Sequence, residues 1–149
     1  MANNAVHFHR VIKAPVEKVF RAFSNSQAIA FWIPPYGYLC DVHHMDFVLG
    51  GSFRMSFYNF TTQKSHSFGG NYLEIKPNET IKYSDKFDDP NLPGEIITSV
   101  QFRSVICGTE INISQEGIPD MIPLEFCYLG WQESLEKLIK LVEPEINEN

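Results

Sequence analysis

The sequence predicts an α+β fold in which a curved antiparallel sheet of about seven strands wraps around one long C-terminal helix. Three observations lead to this prediction. Runs rich in aromatic and β-branched residues follow one another through most of the chain. Turn sequences of hairpin length separate these runs, so consecutive strands pair antiparallel. One stretch of helical periodicity closes the chain, and its apolar face must be covered by the sheet.

The N-terminal segment predicts one strand followed by two short helices. Apolar residues share one parity over residues 6–14, which is the period-two pattern of a half-buried strand. Pro15 suits the first position of a helix. Apolar residues then recur at helical spacing, at Val16, Val19, Phe20 and Phe23. Cap and turn formers at 24–26 start a second helix over 27–32, which Pro34 ends.

The rest of the chain predicts strands and then the long helix. Strands are predicted over residues 36–49, 52–60, 68–75, 80–87, 95–106 and 109–116. Alternating residues such as Phe53, Met55 and Phe57 give each strand one inward face. The helix is predicted over residues 124–142 and ends before Pro144.

Composition indicates a globular chain. Its 149 residues suit a single domain, 1–149, and 12 Phe leave aromatic side chains to line a pocket. A net charge of −6 without a cluster of Lys and Arg argues against nucleic-acid binding. Three widely spaced cysteines and an N-terminus without a secretory signal predict a cytoplasmic protein. No apolar run is long enough to predict a membrane span.

Seven sequence blocks carry a family resemblance. They are RVIKAPVEKVF at 10–20, FW at 31–32, DFVLGGSFR at 46–54, GNYLEIKPNETIKY at 70–83, FDD at 87–89, GTEI at 108–111 and GWQESLEKL at 130–138. In this order they resemble proteins similar to the C-terminal domain of the activator of the heat-shock protein 90 ATPase. That family belongs to the START-like, or SRPBCC, superfamily. The resemblance covers nearly the whole chain and implies a helix-grip fold.

The resemblance implies a class of functions and leaves the ligand open. The superfamily includes lipid and hormone carriers, polyketide cyclases and stress proteins, so hydrophobic ligand binding is the shared expectation. Phe31-Trp32 stands where the family usually has paired tryptophans, and Val48-Leu49 replaces an Arg that often precedes Gly50-Gly51. Both departures make the region less polar. The chaperone activator also carries a separate N-terminal domain, so we do not expect chaperone activation itself to carry over.

A sheet that bends around a helix leaves a gap where the two diverge, and we predict a ligand site there. The predicted ligand-binding residues are Arg10, Phe31, Trp32, Tyr36, Phe57, Tyr72, Tyr83, Phe87, Phe102, Tyr128 and Trp131. The alternative for each aromatic residue is that it fills the core. Several buried Tyr and Trp side chains around one gap would suit an amphipathic ligand with a polar end.

Arg10 lies on the apolar parity of the first strand, where a charge must be paired or face water. It would anchor a ligand carboxylate, form an ion pair with Glu74, Asp85 or Glu116, or mark a disturbed pleat. Burial of Asp85 or Glu74 in a cavity wall would raise the carboxyl pKa, which leaves acid–base catalysis open.

The chain carries no recognisable catalytic or metal-binding motif. GxSxG, HExxH and CxxC patterns are absent. His43 and His44 are adjacent, so they point to opposite faces of a strand. His7 and His9 share a face but lack an adjacent third ligand. We therefore predict no catalytic residues, no metal and no cofactor.

The leading hypothesis is a protein, monomeric or homodimeric, that binds a small hydrophobic or amphipathic molecule in an internal cavity. The first alternative is a chaperone-cofactor-like module, which would bind a partner protein through an exposed apolar patch and have a collapsed interior. The second alternative is a cyclase or hydrolase that acts on a ligand held in the cavity.

Overall fold

The computed structural model describes residues 4–148. The first three residues, part of the N-terminus predicted to lack a signal sequence, lie outside this range, as does Asn149. The described elements are β1 (Ala5–Ile12), α1 (Val16–Ser24), α2 (Ser26–Trp32), β2 (Tyr38–Met45), β3 (Ser52–Asn59), β4 (Lys64–Lys76), β5 (Thr80–Phe87), β6 (Ile96–Val105), β7 (Gly108–Glu116) and α3 (Leu124–Val142).

The strands form one seven-stranded sheet in the spatial order β1-β7-β6-β5-β4-β3-β2. Every pairing is antiparallel. Strands β2 to β7 pair with their sequence neighbours through hairpins, whereas α1 and α2 carry the chain from β1 to the opposite edge. The predicted α+β helix-grip architecture is confirmed.

Alternation places one apolar face of the sheet against the helices. Ile113 on β7 lies opposite Phe8 on β1 and Val100 on β6, and all three side chains are buried. On β3, Phe53 and Met55 are buried in the same way. Because successive side chains of a strand point to opposite faces, these residues build a continuous inner surface.

The two short helices cover one end of this inner surface. Asn25 caps α2, since its side-chain oxygen accepts a hydrogen bond from the backbone N–H of Ala28 at 2.9 Å. Trp32 is fully buried, and its indole N–H donates to the carbonyl oxygen of Ala22 at 2.8 Å. Phe23 meets the Trp32 ring edge-to-face at 4.8 Å. These contacts lock α1 and α2 together.

The two halves of α3 differ in burial. Leu135, Leu138 and Val142 in its C-terminal half are 0–2% exposed. Phe126 and Leu129 in its N-terminal half are 64% and 53% exposed. The helix therefore packs closely at one end and stands away from the sheet at the other. Across residues 4–148, none of the helices combines the length and apolar character that crossing a bilayer requires.

Two predicted strand boundaries are wrong. Strand β4 begins at Lys64 rather than at residue 68, because Asn59 accepts hydrogen bonds from the N–H groups of Thr61 and Thr62 and tightens the hairpin. Strand β2 ends at Met45 rather than at residue 49. The chain turns there, because the Gly51 N–H donates to the carbonyl oxygen of Val48 at 2.8 Å.

Candidate ligand cavity

A cavity of about 850 Å³ lies between the sheet and the N-terminal half of α3. Strands β3, β4 and β5 form its main wall, and α1 and α2 close one end. The α3 wall consists of Phe126, Cys127, Gly130, Trp131 and Ser134, which recur at spacings of three or four residues along one helical face. The most exposed lining residues mark the mouth of the cavity, among them His66 on β4, Asp88 after β5 and Phe126 on α3.

The walls are mainly apolar and aromatic. They comprise Phe23, Ile29, Ile33, Phe53, Met55, Phe57, Phe68, Tyr72, Ile81, Phe87, Ile96, Ile118 and Ile122. Rings on β3, β4 and β5 meet edge-to-face, with Phe57 and Phe68 at 4.9 Å and Phe53 and Tyr83 at 5.6 Å between centroids. Such contacts fix the orientations of the rings in the wall.

A chain of hydrogen bonds crosses the wall between α3 and the sheet. The indole N–H of Trp131 donates to Gln115 Oε1 at 3.1 Å. Gln115 Nε2 donates in turn to Thr98 Oγ1 at 3.1 Å. Thr98 is fully buried and faces Tyr83 across the β5–β6 pairing. Gln115 and Trp131 thus border the cavity with their polar atoms already satisfied.

Two tyrosines in the wall are held as neutral phenols. Burial raises the pKa of Tyr83, the nearby Asp85 carboxylate raises it further, and a hydrogen bond to Thr98 opposes both effects. Burial also raises the pKa of Tyr72. Both hydroxyl groups therefore stay protonated at neutral pH, and each keeps a hydrogen-bond donor.

Asp85 is the most unusual polar group in the wall. Its Oδ1 atom is buried and has no hydrogen-bond partner within the described part of the chain. Burial raises the pKa of its carboxyl group to about 7, and a hydrogen bond from the Lys86 backbone opposes this shift. Gly70 lies on the adjacent strand β4, where a Cβ would lie 1.8 Å from the carbonyl oxygen of Ser84. Only glycine fits there, so this position has no side chain that could pair with Asp85.

The mouth of the cavity is more polar than its interior. His66, Asp88, Asp89, Leu92 and Phe126 border it. The Asp88 carboxylate is already engaged, because the Arg54 guanidinium on the outer face donates to its Oδ1 at 2.9 Å. That hydrogen bond lowers the pKa of Asp88.

The structure brings five of the predicted ligand-binding residues together. Phe57, Tyr72, Tyr83, Phe87 and Trp131 all line the cavity. They come from β3, β4, β5 and α3, so elements far apart in sequence converge on one volume. Their role toward a ligand remains a prediction, but their positions are those that the inward parity of the strands and the face of the helix indicated.

Phe102 and Trp32 lie outside the cavity wall. They fill the core at the closed end, where Phe102 meets Phe20 and Phe23 edge-to-face, both at 5.2 Å. Trp32 contacts Phe23 and is bonded to the backbone of α1. Both residues follow the core-filling alternative.

Phe31, Tyr36 and Tyr128 lie on the surface, at 41–48% exposure. Phe31 stacks beneath the ammonium group of Lys137 at 5.8 Å. The Tyr36 hydroxyl donates to the Glu136 carboxylate. Tyr128 packs its ring on Phe8 at 5.3 Å. Helical periodicity assigned Tyr128 to the buried face of α3, but its side chain is exposed.

Arg10 also lies outside the cavity. It is half-buried on the predicted parity of β1, and its guanidinium donates to the carbonyl oxygen of His9 at 2.9 Å. Within residues 4–148 it forms no ion pair with Glu74, Asp85 or Glu116. A ligand carboxylate in the cavity therefore has no anchor at Arg10.

The remaining acids and histidines are not assembled into a site. Glu74 lies outside the cavity beside Lys76, at 3.4 Å. His9 pairs with Glu110 at 2.9 Å at the protein surface, and His43 contacts Ser56 at 2.6 Å. Among the described residues, no group of three His, Cys, Asp or Glu side chains is placed to hold a metal ion.

Sequence reasoning missed part of the wall. Phe53 and Met55 share the parity of Phe57, and Gln115 continues the inward parity of β7, so the alternation alone could have included them. Gly130 carries no such signal. Only the structure shows that a Cβ at Gly130 would meet nothing within 4 Å and that the residue borders the cavity.

Solved structures with the same fold extend these observations. A crystal structure of a protein from Chromobacterium violaceum is 49% identical, with a TM-score of 0.94, over 95% of this chain and 99% of that chain. A Rhodobacter sphaeroides structure is 17% identical with a TM-score of 0.80, over 92% of this chain and 90% of that chain. A Nitrosomonas europaea structure is 16% identical with a TM-score of 0.78, over 92% of each chain. The last two show the fold alone.

The match to a family covers most of the chain. Residues 13–143 match the family described as activator of Hsp90 ATPase homolog 1-like protein. No match was found among curated proteins. The matched residues include every element from α1 to α3, and the sheet, the terminal helix and the cavity between them are those of a START-like fold. The chain therefore belongs to the activator of Hsp90 ATPase homolog 1-like family.

Proposed function

We propose that the chain binds a small hydrophobic or amphipathic molecule in the cavity between the sheet and α3. The observation that carries the proposal is the open volume of about 850 Å³ inside a mainly apolar wall. Ligand sites typically enclose about 300–1,000 Å³ and combine apolar walls with few polar groups. The family's fold commonly serves hydrophobic ligands, which agrees with this choice.

Packing energetics support the same choice. Protein interiors are normally filled as densely as organic crystals, so a large apolar volume lined by Phe and Ile side chains is unusual. A ligand that replaces water there gains about 25 cal/mol for each Å² of apolar surface removed from solvent. The hydrogen bonds from Trp131 to Gln115 and from Gln115 to Thr98 hold this part of the wall in place without a ligand.

The alternatives find less support in the interior. A chaperone-cofactor-like module was expected to have a collapsed interior, whereas this one is open. For a cyclase or hydrolase, the acid–base candidate Asp85 does line the wall, with its pKa raised to about 7 by burial. A nucleophile is less available, because burial also raises the pKa of the Cys127 thiol and keeps it protonated. The residues of the wall therefore favour reversible ligand binding over catalysis through a covalent intermediate.

Gly130 provides the test. Gly130→Phe would place a ring in the open volume, whereas Gly130→Ala adds only a methyl group where nothing lies within 4 Å. We expect purified protein to take up the neutral apolar dye Nile red, with a rise in its fluorescence. Gly130→Phe should weaken uptake by at least about tenfold, because it removes volume from the site. Gly130→Ala should bind as the parent chain does.

Circular dichroism of each variant shows whether the fold is kept. Should the folded Gly130→Phe protein bind Nile red as well as the parent chain, the dye site lies elsewhere and the proposal is wrong. No uptake by the parent chain of Nile red or of a panel of neutral aromatic compounds would contradict it as well.

A further inference from the structure

The charged groups around the cavity are of one sign. Asp85, Asp88 and Asp89 border it, and no Lys or Arg belongs to the described residues that line it. His66 at the mouth is the one basic side chain among them. Arg10, the cation that the sequence assigned to the site, bonds the His9 backbone instead.

Two of these three acids differ in their surroundings. Arg54 holds Asp88 from outside the cavity through a bidentate contact. Asp85 lies deeper, on the inward parity of β5 between Tyr83 and Phe87, and faces Ile96 on β6. Nothing in the described chain donates to its Oδ1 atom. Asp85 is therefore a wall residue with a buried carboxylate oxygen that no group in the described chain pairs.

An unpartnered buried acceptor is costly, and a hydrogen bond that involves a charged group is stronger than a neutral one. A carboxylate or phosphate ligand would add negative charge beside Asp85 without any Lys or Arg to compensate it. A purely apolar ligand would leave Oδ1 unpaired. A ligand that carries an ammonium group would supply both the missing donor and the opposite charge.

We infer that the cavity takes an apolar molecule with an amine head group, which pairs with the orphan carboxylate of Asp85. This inference rests on the proposed ligand-binding function and names the chemical class of the ligand. The apolar part of the ligand lies along the ring-lined wall formed by β3 and β4, and the amine reaches Asp85 on β5. The net charge of −6 favours the approach of a cation.

The pairing makes binding depend on pH. Burial raises the pKa of the Asp85 carboxyl group to about 7, so below that pH the group is mostly protonated. It must then lose its proton before it can pair with an ammonium group. Amine affinity should therefore fall as pH drops from about 8 to 6, where an alkylammonium keeps its charge. The other titratable groups that border the cavity are Tyr38 of β2, His66 and Tyr72 of β4, Tyr83 of β5, Asp88 and Asp89 of the β5–β6 loop, and Cys127 of α3.

A matched set of probes tests the inference. Naphthylethylamine, naphthylethanol and naphthylacetate share one aromatic body and differ in the head group. Isothermal titration at pH 8 should give the tightest binding for the amine and the weakest for the carboxylate. Asp85→Asn should weaken amine binding by at least about tenfold, because a buried charge then loses its partner. The same variant should strengthen naphthylacetate binding.

Asp41→Asn, on the exposed face of β2, is the control, and the three probes should keep the same order of affinity in this variant. His66→Asn, measured beside it, removes the imidazole so that any remaining pH dependence belongs to Asp85. Carboxylate binding as tight as amine binding, or an amine affinity independent of pH in the His66→Asn protein, would overturn the inference alone. Failure of all three probes and of Nile red to bind would overturn the proposed function with it.

Discussion

The two halves of α3 lie over the same sheet but meet different surroundings. In the C-terminal half, Leu135, Leu138 and Val142 are fully buried among residues of β1, α1 and the sheet. In the N-terminal half, Gly130 and Trp131 border open volume, and Leu129 is 53% exposed. One helix therefore serves a packed end and an open end.

The packed end of α3 contributes mainly to the stability of the fold, whereas the open end borders the proposed ligand site. At the packed end every buried methyl group replaces water with protein contacts, and the free energy of folding is concentrated there. At the open end the chain keeps volume unfilled and an acid unpaired, both of which cost stability. Natural proteins accept such costs where a site needs them. The largest expected effects of mutation therefore lie at the packed end.

Leu138→Ala should lower the free energy of unfolding by about 2–5 kcal/mol, because it leaves a cavity in a filled core. The matched control is Leu129→Ala on the same helix, which should change the free energy by less than about 0.5 kcal/mol because its side chain is largely exposed. Urea unfolding monitored by circular dichroism measures both. Similar losses for the two variants would show that the ends of α3 do not differ in packing as described.

Asp85→Asn should stabilise the protein at pH 8, by more than about 1 kcal/mol. The folded-state pKa of about 7 lies above the unfolded value, so the folded chain keeps a proton that the unfolded chain loses. Stability is therefore lost as pH rises from about 4 to 7, and the full penalty applies above that window. Asparagine carries no charge and escapes the penalty.

The measurement is the difference in unfolding free energy between Asp85→Asn and the parent chain, at pH values from 4 to 8. We expect the difference to grow through the window and to level off above the folded-state pKa of about 7. Asp41→Asn, on an exposed position of β2, should show no such trend. A destabilised Asp85→Asn protein at pH 8 would mean that the carboxylate is paired in the free chain.

Gly130→Ala should produce the smallest effect, a gain of about 0.5–1 kcal/mol in unfolding free energy. Alanine loses less backbone entropy than glycine in a helix, and a Cβ at this position meets nothing within 4 Å. Thermal unfolding measures the change. A loss of stability would show that the space beside Gly130 is occupied in solution, which would also narrow the cavity.

The sequence predicted most of the fold, and five of the eleven residues that it assigned to the cavity line it. Strand alternation identified the inward faces, so Phe57, Tyr83 and Phe87 were assigned to the interior. The same alternation assigned Phe102 to the cavity, yet it lies in the filled core against Phe20. Periodicity reports which face of a strand a residue occupies, and it does not report the position of that residue between the packed and the open end.

By itself, the sequence determined the order of the elements, the antiparallel pairing and the terminal helix, because turns and periodicities are local properties of the chain. Only the tertiary structure decided where α3 leaves the sheet, and therefore that Gly130 borders open volume and that Asp85 lacks a partner. These features depend on distances between elements remote in sequence. No local pattern encodes such distances, because they follow from how all the buried side chains pack together.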